Sequence, residues 1–192
     1  MKRIAWIISR IFEPIWEAPL LVGMSVWYTT APEMHFKLMS LLLITDVIIP
    51  GVFLAYLLVG KKVSDWDFTN RHERKKAYLF VVIFHLIGIV SVALLKQYLL
   101  AELLLVLWVI TVAFMLINRY WKISVHAGVN ALLMVFLNSL FGWKVFGWMS
   151  VVLILVLWSR VKIRKHTVTQ VMIGAALAMA LAELGLRLLD II

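Results

Sequence analysis

Long apolar runs alternate with short polar loops along the chain, and the loops carry most of the charge. The apolar runs cover about 14–30, 36–60, 77–95, 99–117, 124–141, 145–158 and 166–189. Crossing a bilayer core takes roughly 18–20 apolar residues in a helix, and several of these runs approach or exceed that length. The pattern predicts an all-α fold, a polytopic transmembrane bundle of six to seven spans forming a single integral membrane domain over 1–192. Ahead of the spans, Lys2, Arg3 and Arg10 are set among Ile, Trp and Phe, as in an amphipathic helix lying on a membrane surface. Glu13, Pro14 and Glu17 interrupt the apolar run there and no small-residue cleavage site follows, so the segment is expected to stay as an interfacial helix. All four prolines lie at or before Pro50, which predicts regular packing in the second half.

The span order makes one topological prediction. If the polar segment 61–76 lies on one side, two helical hairpins return 118–123 and 159–166 to that same side. Three polar, basic segments then converge on one membrane face. All but four of the 19 Lys and Arg residues fall on that face, the exceptions being Lys37, Lys96, Lys144 and Arg187. The excess of cations near short loops leans the face toward the cytoplasm of a cell membrane.

Composition sharpens the class. The chain is 64% hydrophobic with a mean hydropathy of +1.00 and a net charge of +9. The charge sits in loops between apolar segments, which points to headgroups and phosphates and away from nucleic acid. The absence of cysteine removes disulfides, thiolate metal sites and cysteine nucleophiles. Neither a His-x-x-x-His pair nor a carboxylate cluster at ligand spacing occurs, and cationic loops repel divalent ions, so no metal or cofactor is expected.

The chemistry-bearing residues lie in those three segments. In the last loop, Arg160 precedes His166 by six positions, and Gln170 follows His166 by one helical turn, where its amide can meet the imidazole. Ser124 and His126 open the fifth run just after Lys122, where the amides of a helix N-terminus favour an anion; an ordinary serine cap beside an interfacial histidine is the plainer reading. Arg71 and Arg74 share a helical face at i, i+3, with Lys75 and Lys76 reading as a solvated connector. Within the apolar runs, Asp46 and His85 lie at membrane depth and form a possible pair. Glu183, Asn130 and Asn138 are expected to make interhelical hydrogen bonds.

These residues resemble the motifs of the type 2 phosphatidic acid phosphatase superfamily, the membrane-embedded lipid phosphatases. Ser159-Arg160, five residues, His166, three residues, Gln170 follows that family's third motif, with Gln170 where the family has aspartate. Ile123-Ser124-Val125-His126 matches its Pro-Ser-Gly-His motif at serine and histidine. Asn70-Arg71 through Arg74 to Ala77 is similar to an Asn-Arg-x-x-Arg-x-x-Pro variant of the first motif, with alanine for proline. The resemblance covers about 61–185.

The resemblance implies a metal-independent hydrolase acting on a phosphomonoester or diphosphate of a membrane lipid. His166 would attack phosphorus and form a phosphohistidine, and Gln170 would orient its ring. Arg71, Arg74, Arg160 and Ser124 would bind the phosphoryl oxygens, and His126 would protonate the leaving alkoxide. A neutral Gln170 supports a developing imidazolium less than aspartate would. The alternative is therefore a non-catalytic protein of the same fold that binds or translocates a lipid phosphate.

Overall fold

The computed structural model describes residues 1–191, and helix is the regular structure found among them. Helix α1 (Lys2–Ile11) is amphipathic as expected, burying Ala5 and Ser9 and exposing Ile4, Trp6, Ile7 and Ile11. Helix α2 (Pro14–Thr29) follows. Helix α3 (Pro32–Leu42) runs through a π-helical stretch, Leu43–Ile48, into α4 (Ile49–Val59). A 3₁₀ turn at Arg71–Glu73 leads into α5 (Arg74–Leu94), which turns into α6 (Tyr98–Tyr120). The remaining helices are α7 (Val125–Phe141), the single turn α8 (Trp143–Phe146), α9 (Met149–Lys162) and α10 (Val168–Leu188).

Four helical segments are long and apolar enough to cross a membrane: Pro32–Val59, Arg71–Leu94, Tyr98–Tyr120 and Val168–Leu188. Helices α2, α7 and α9, at 16, 17 and 14 residues, are shorter. The run expected at 145–158 is displaced toward the C-terminus. Gly142, with φ +94°, adopts a left-handed conformation that glycine reaches without strain and separates α7 from the turn of α8. Helix α9 then extends one turn into the expected loop, because Ser159 and Arg160 are buried at its end.

Two compact units make up the chain. Met1–Leu21 with Lys122–Ile192 forms one, and Val22–Trp121 the other, so α2 runs from the first into the second. In the first unit, α7 is buried along most of its length and α10 presents Gly174, Ala175, Ala178 and Ala182 on its buried face. Small residues let two backbones approach closely. A methyl group on Gly174 would stand 2.8 Å from the Ser124 carbonyl oxygen, so only glycine fits where α10 crosses the start of α7.

In the second unit, α5 and α6 pack side by side and the π-helical stretch lies against α5. His85 of α5 bonds Asp46 through Nδ1 and the Leu104 carbonyl of α6 through Nε2 (3.0 Å), while Thr45 Oγ1 donates to Asp46 Oδ2 (3.0 Å). The pair suggested by the sequence is thus formed, and it links three helical segments. Gly88 makes room for it, since a Cβ there would meet Thr45 Oγ1 at 2.8 Å. Of the other polar residues within the apolar runs, Asn130 bonds across helices to Glu17 and Asn138 Nδ2 donates to Phe146 of α8 as well as within α7. Glu183 departs from expectation: it is half-buried and pairs with Arg187 one turn along its own helix (2.6 Å).

Candidate functional site

The first unit holds five of the seven residues singled out in the sequence. Arg160 sits in the last turn of α9, where a cation complements the partial negative charge of the helix end. It is only 1% exposed and is the largest fully buried side chain among the described residues. A buried guanidinium must be matched by acceptors, and two come from different helices. Its Nη1 donates to Ser9 Oγ of α1 (2.7 Å) and lies 3.4 Å from His126 Nε2 on α7. Guanidinium nitrogens only donate, so Nε2 of His126 is the acceptor and that ring carries its proton on Nδ1. The His126 backbone carbonyl in turn accepts from Asn130 Nδ2 (2.9 Å).

The chain beyond Arg160 folds back over the end of α9. Arg164 takes a left-handed conformation (φ +61°), and the amides of Lys165 and His166 both return to the Arg160 carbonyl, at 3.1 and 3.3 Å. The turn therefore ties the histidine to the arginine through the backbone. Helix α10 then opens on a capping box: Thr167 Oγ1 accepts from the Gln170 amide, and Gln170 Oε1 accepts from the Thr167 amide (3.2 Å).

That box settles the imidazole tautomer. Because the Thr167 N–H is a donor, the Gln170 atom facing it is the carbonyl oxygen. The same Oε1 lies 3.1 Å from His166 Nδ1, which must therefore be the protonated ring nitrogen. The lone pair of His166 is left on Nε2. One glutamine thus caps a helix and orients a ring.

His166 and Gln170 line an open cleft of about 370 Å³ together with Lys122, Arg164 and Lys165. Lys122 Nζ donates to the Lys165 carbonyl (2.9 Å), which braces the start of α7 against the turn. The cleft is rich in cations, and an anion such as a phosphate is the ligand it complements.

Ser124 is the N-cap of α7 and is fully buried, its hydroxyl oxygen accepting from the Ala127 amide (3.4 Å). Arg71 and Arg74 belong to the second unit, where they hold the end of α6. Arg71 Nη1 donates to the Arg119 carbonyl (2.9 Å). Arg74 donates to the Phe68 carbonyl (2.9 Å) and to Asn118 Oδ1 (3.4 Å), and Asn118 Nδ2 donates back to the Arg71 carbonyl (3.1 Å).

Sequence reasoning missed Ser9, and it read Lys122 and Lys165 only as cations of the basic loops. Ser9 carried a signal. With Ala5 it makes a small-residue pair at i, i+4 in a helix of bulky side chains, and such a notch lets another helix approach.

Comparison of the chain with protein-family models, with curated proteins and with solved structures finds no match.

Proposed function

We propose that the chain is a metal-independent lipid-phosphate phosphatase, built as a six- to seven-span helical bundle of the cell membrane with its site on the cytoplasmic face. The observation that carries the reading is the fixed tautomer of His166. Its Nδ1–H is held by Gln170 Oε1, and its Nε2 lone pair remains in a ring that lines a cationic cleft.

In this reading the phosphoryl group of a membrane lipid occupies the cleft and His166 Nε2 attacks phosphorus. The P–O bond to the lipid breaks as the N–P bond forms, and the alkoxide takes a proton. Water then cleaves the phosphohistidine and releases inorganic phosphate. Arg160, Ser124 and the cations of the cleft are the groups of the first unit assigned to the phosphoryl oxygens. His126 is the assigned proton donor to the alkoxide. His126 Nε2 accepts from Arg160, so His126 must gain a proton before it can give one to the alkoxide.

A second reading, a lipid-phosphate binder without turnover, is favoured by the neutrality of Gln170. Phosphate release by purified protein in detergent with EDTA separates the two. Release that His166→Ala abolishes supports the enzyme. Saturable binding of lipid phosphate without release supports the binder.

A further inference from the structure

Helix α1 meets the rest of the first unit through its smallest side chains. Its buried residues are Ala5 and Ser9, and Ser9 Oγ accepts from the Arg160 guanidinium at the end of α9 (2.7 Å). The bulky side chains point elsewhere. Ile4, Ile7 and Ile11, at i, i+3 and i+7, form an exposed apolar face. Lys2, Arg3, Trp6 and Arg10 form a basic face on the far side of the helix axis from Ala5 and Ser9 to the isoleucines. The Arg10 guanidinium lies over the Trp6 ring, 5.8 Å from its centre, and its Nη1 donates to Glu13 Oε1 (2.8 Å). Lys2 and Arg3 are exposed.

The position of α1 in the unit narrows what those faces meet. The amides of Lys165 and His166 return to the Arg160 carbonyl, and Thr167 then caps α10. Helix α10 is one of the segments long and apolar enough to cross a membrane. Ser9 therefore reaches α9 at the end of the unit where α10 begins, and a bilayer crossed by α10 has one of its surfaces there. The 10 residues of α1 rise only about 15 Å, half of a bilayer core, so the helix can lie along that surface but not pass through it.

We infer that α1 docks on an anionic lipid surface, with its isoleucines among the acyl chains and Lys2, Arg3 and Arg10 among the headgroups, and that this docking keeps Ser9 on Arg160. An apolar face beside a cationic one complements a surface that is apolar on one side and anionic on the other. Trp6, at the boundary of the basic face, is the amphipathic ring such an interface favours. Alanine and serine bury little apolar surface against α9, so the outer faces supply most of what holds the helix down. Arg160 links the surface to the cationic cleft, bonding Ser9 through its guanidinium and the His166 amide through its carbonyl (3.3 Å). On the phosphatase reading, on which this consequence rests, an anionic leaflet raises the rate of phosphate release.

Docking can be measured without turnover. The chain has no cysteine, so Ile7→Cys places a single nitroxide on the full-length protein. The labelled protein is reconstituted in bilayers of phosphatidylcholine alone and of an equal mixture with phosphatidylglycerol. Collisions with oxygen report immersion in the acyl chains, and collisions with a water-soluble nickel chelate report exposure. A basic residue near an anionic surface is worth about fivefold in binding, so Lys2 and Arg3 should raise the ratio of immersed to exposed label about 30-fold in the anionic bilayer. Adding Lys2→Gln and Arg3→Gln, or about 1 M salt, should remove most of that rise. An equal ratio in the two bilayers, or a rise that survives the two glutamines, overturns the inference. So does a label shielded from both reagents in both bilayers, which marks a protein contact instead. Ser9→Ala should leave immersion unchanged and lower phosphate release; undiminished release overturns the link to Arg160. The expected immersion with no release from any form counts against the phosphatase reading alone.

Discussion

On the phosphatase reading, Gln170→Glu should raise the rate of turnover. Glutamate is isosteric with glutamine, so its Oε1 can keep both bonds that position the side chain, 3.1 Å to His166 Nδ1 and 3.2 Å to the Thr167 amide. Glutamate at this position of a capping box is also compatible with the helix start. What changes is charge. Attack by Nε2 turns the imidazole into a cation about 4 Å from the new carboxylate. A unit pair at that distance is worth about 4 kcal/mol at an effective dielectric of 20, and only about 0.2–1 kcal/mol when fully exposed. His166 is buried while Gln170 is half-buried, so a value near 2 kcal/mol is the working estimate. That corresponds to roughly 30-fold in the rate of phosphohistidine formation. The assay is single-turnover phosphate release with EDTA present, the wild type and Gln170→Leu being run beside the variant. Gln170→Leu should be slower than wild type, because the ring loses its orienting acceptor. A Gln170→Glu rate equal to or below wild type, in protein of unchanged melting temperature, would refute an imidazolium-forming role for His166.

Other expectations follow from the same packing. Arg160→Ala strands Ser9 Oγ and His126 Nε2 and removes an assigned phosphoryl ligand; activity should fall by about 10²–10³, with weaker binding of inorganic phosphate by calorimetry. Gly174→Ala forces a methyl group to 2.8 Å from a backbone oxygen and should cost about 1–3 kcal/mol, lowering the melting temperature in detergent. Gly51→Ala, with open space around the added carbon, should not lower it. His85→Leu leaves Asp46 buried without its partner and should destabilise by about 3–5 kcal/mol, whereas the double replacement of Asp46 and His85 by leucine should be much milder.

Hydrophobic runs made the helices legible because backbone groups in an apolar setting must bond within their own segment. Segment ends were less legible, since tertiary anchors decide them. Arg160 reads as a loop cation in the sequence, yet its bond to Ser9, 151 positions away, keeps it in the last turn of α9. The His166–Gln170 contact was readable because it is local, set by helical spacing. The Asp46–His85 pair was suggested by the cost of isolated charge within an apolar run, and the contact itself is a tertiary one between residues 39 positions apart. The π-helical stretch that carries Asp46 was not readable, since it depends on how closely Gly88 lets α5 approach. Glu17 was read only as an interruption of an apolar run, and its bond to Asn130 joins parts of the chain 113 residues apart.

The most direct measurement is phosphate release by the purified protein in detergent with EDTA. The panel is phosphatidate, lysophosphatidate, phosphatidylglycerophosphate and polyprenyl mono- and diphosphates, with His166→Ala as the control. The account predicts release from at least one lipid phosphate, abolished in His166→Ala, with the wild-type enzyme yielding an acid-labile phosphoprotein when quenched during turnover. Undiminished release by His166→Ala, or silence across the panel from protein that still binds the lipids, would contradict it.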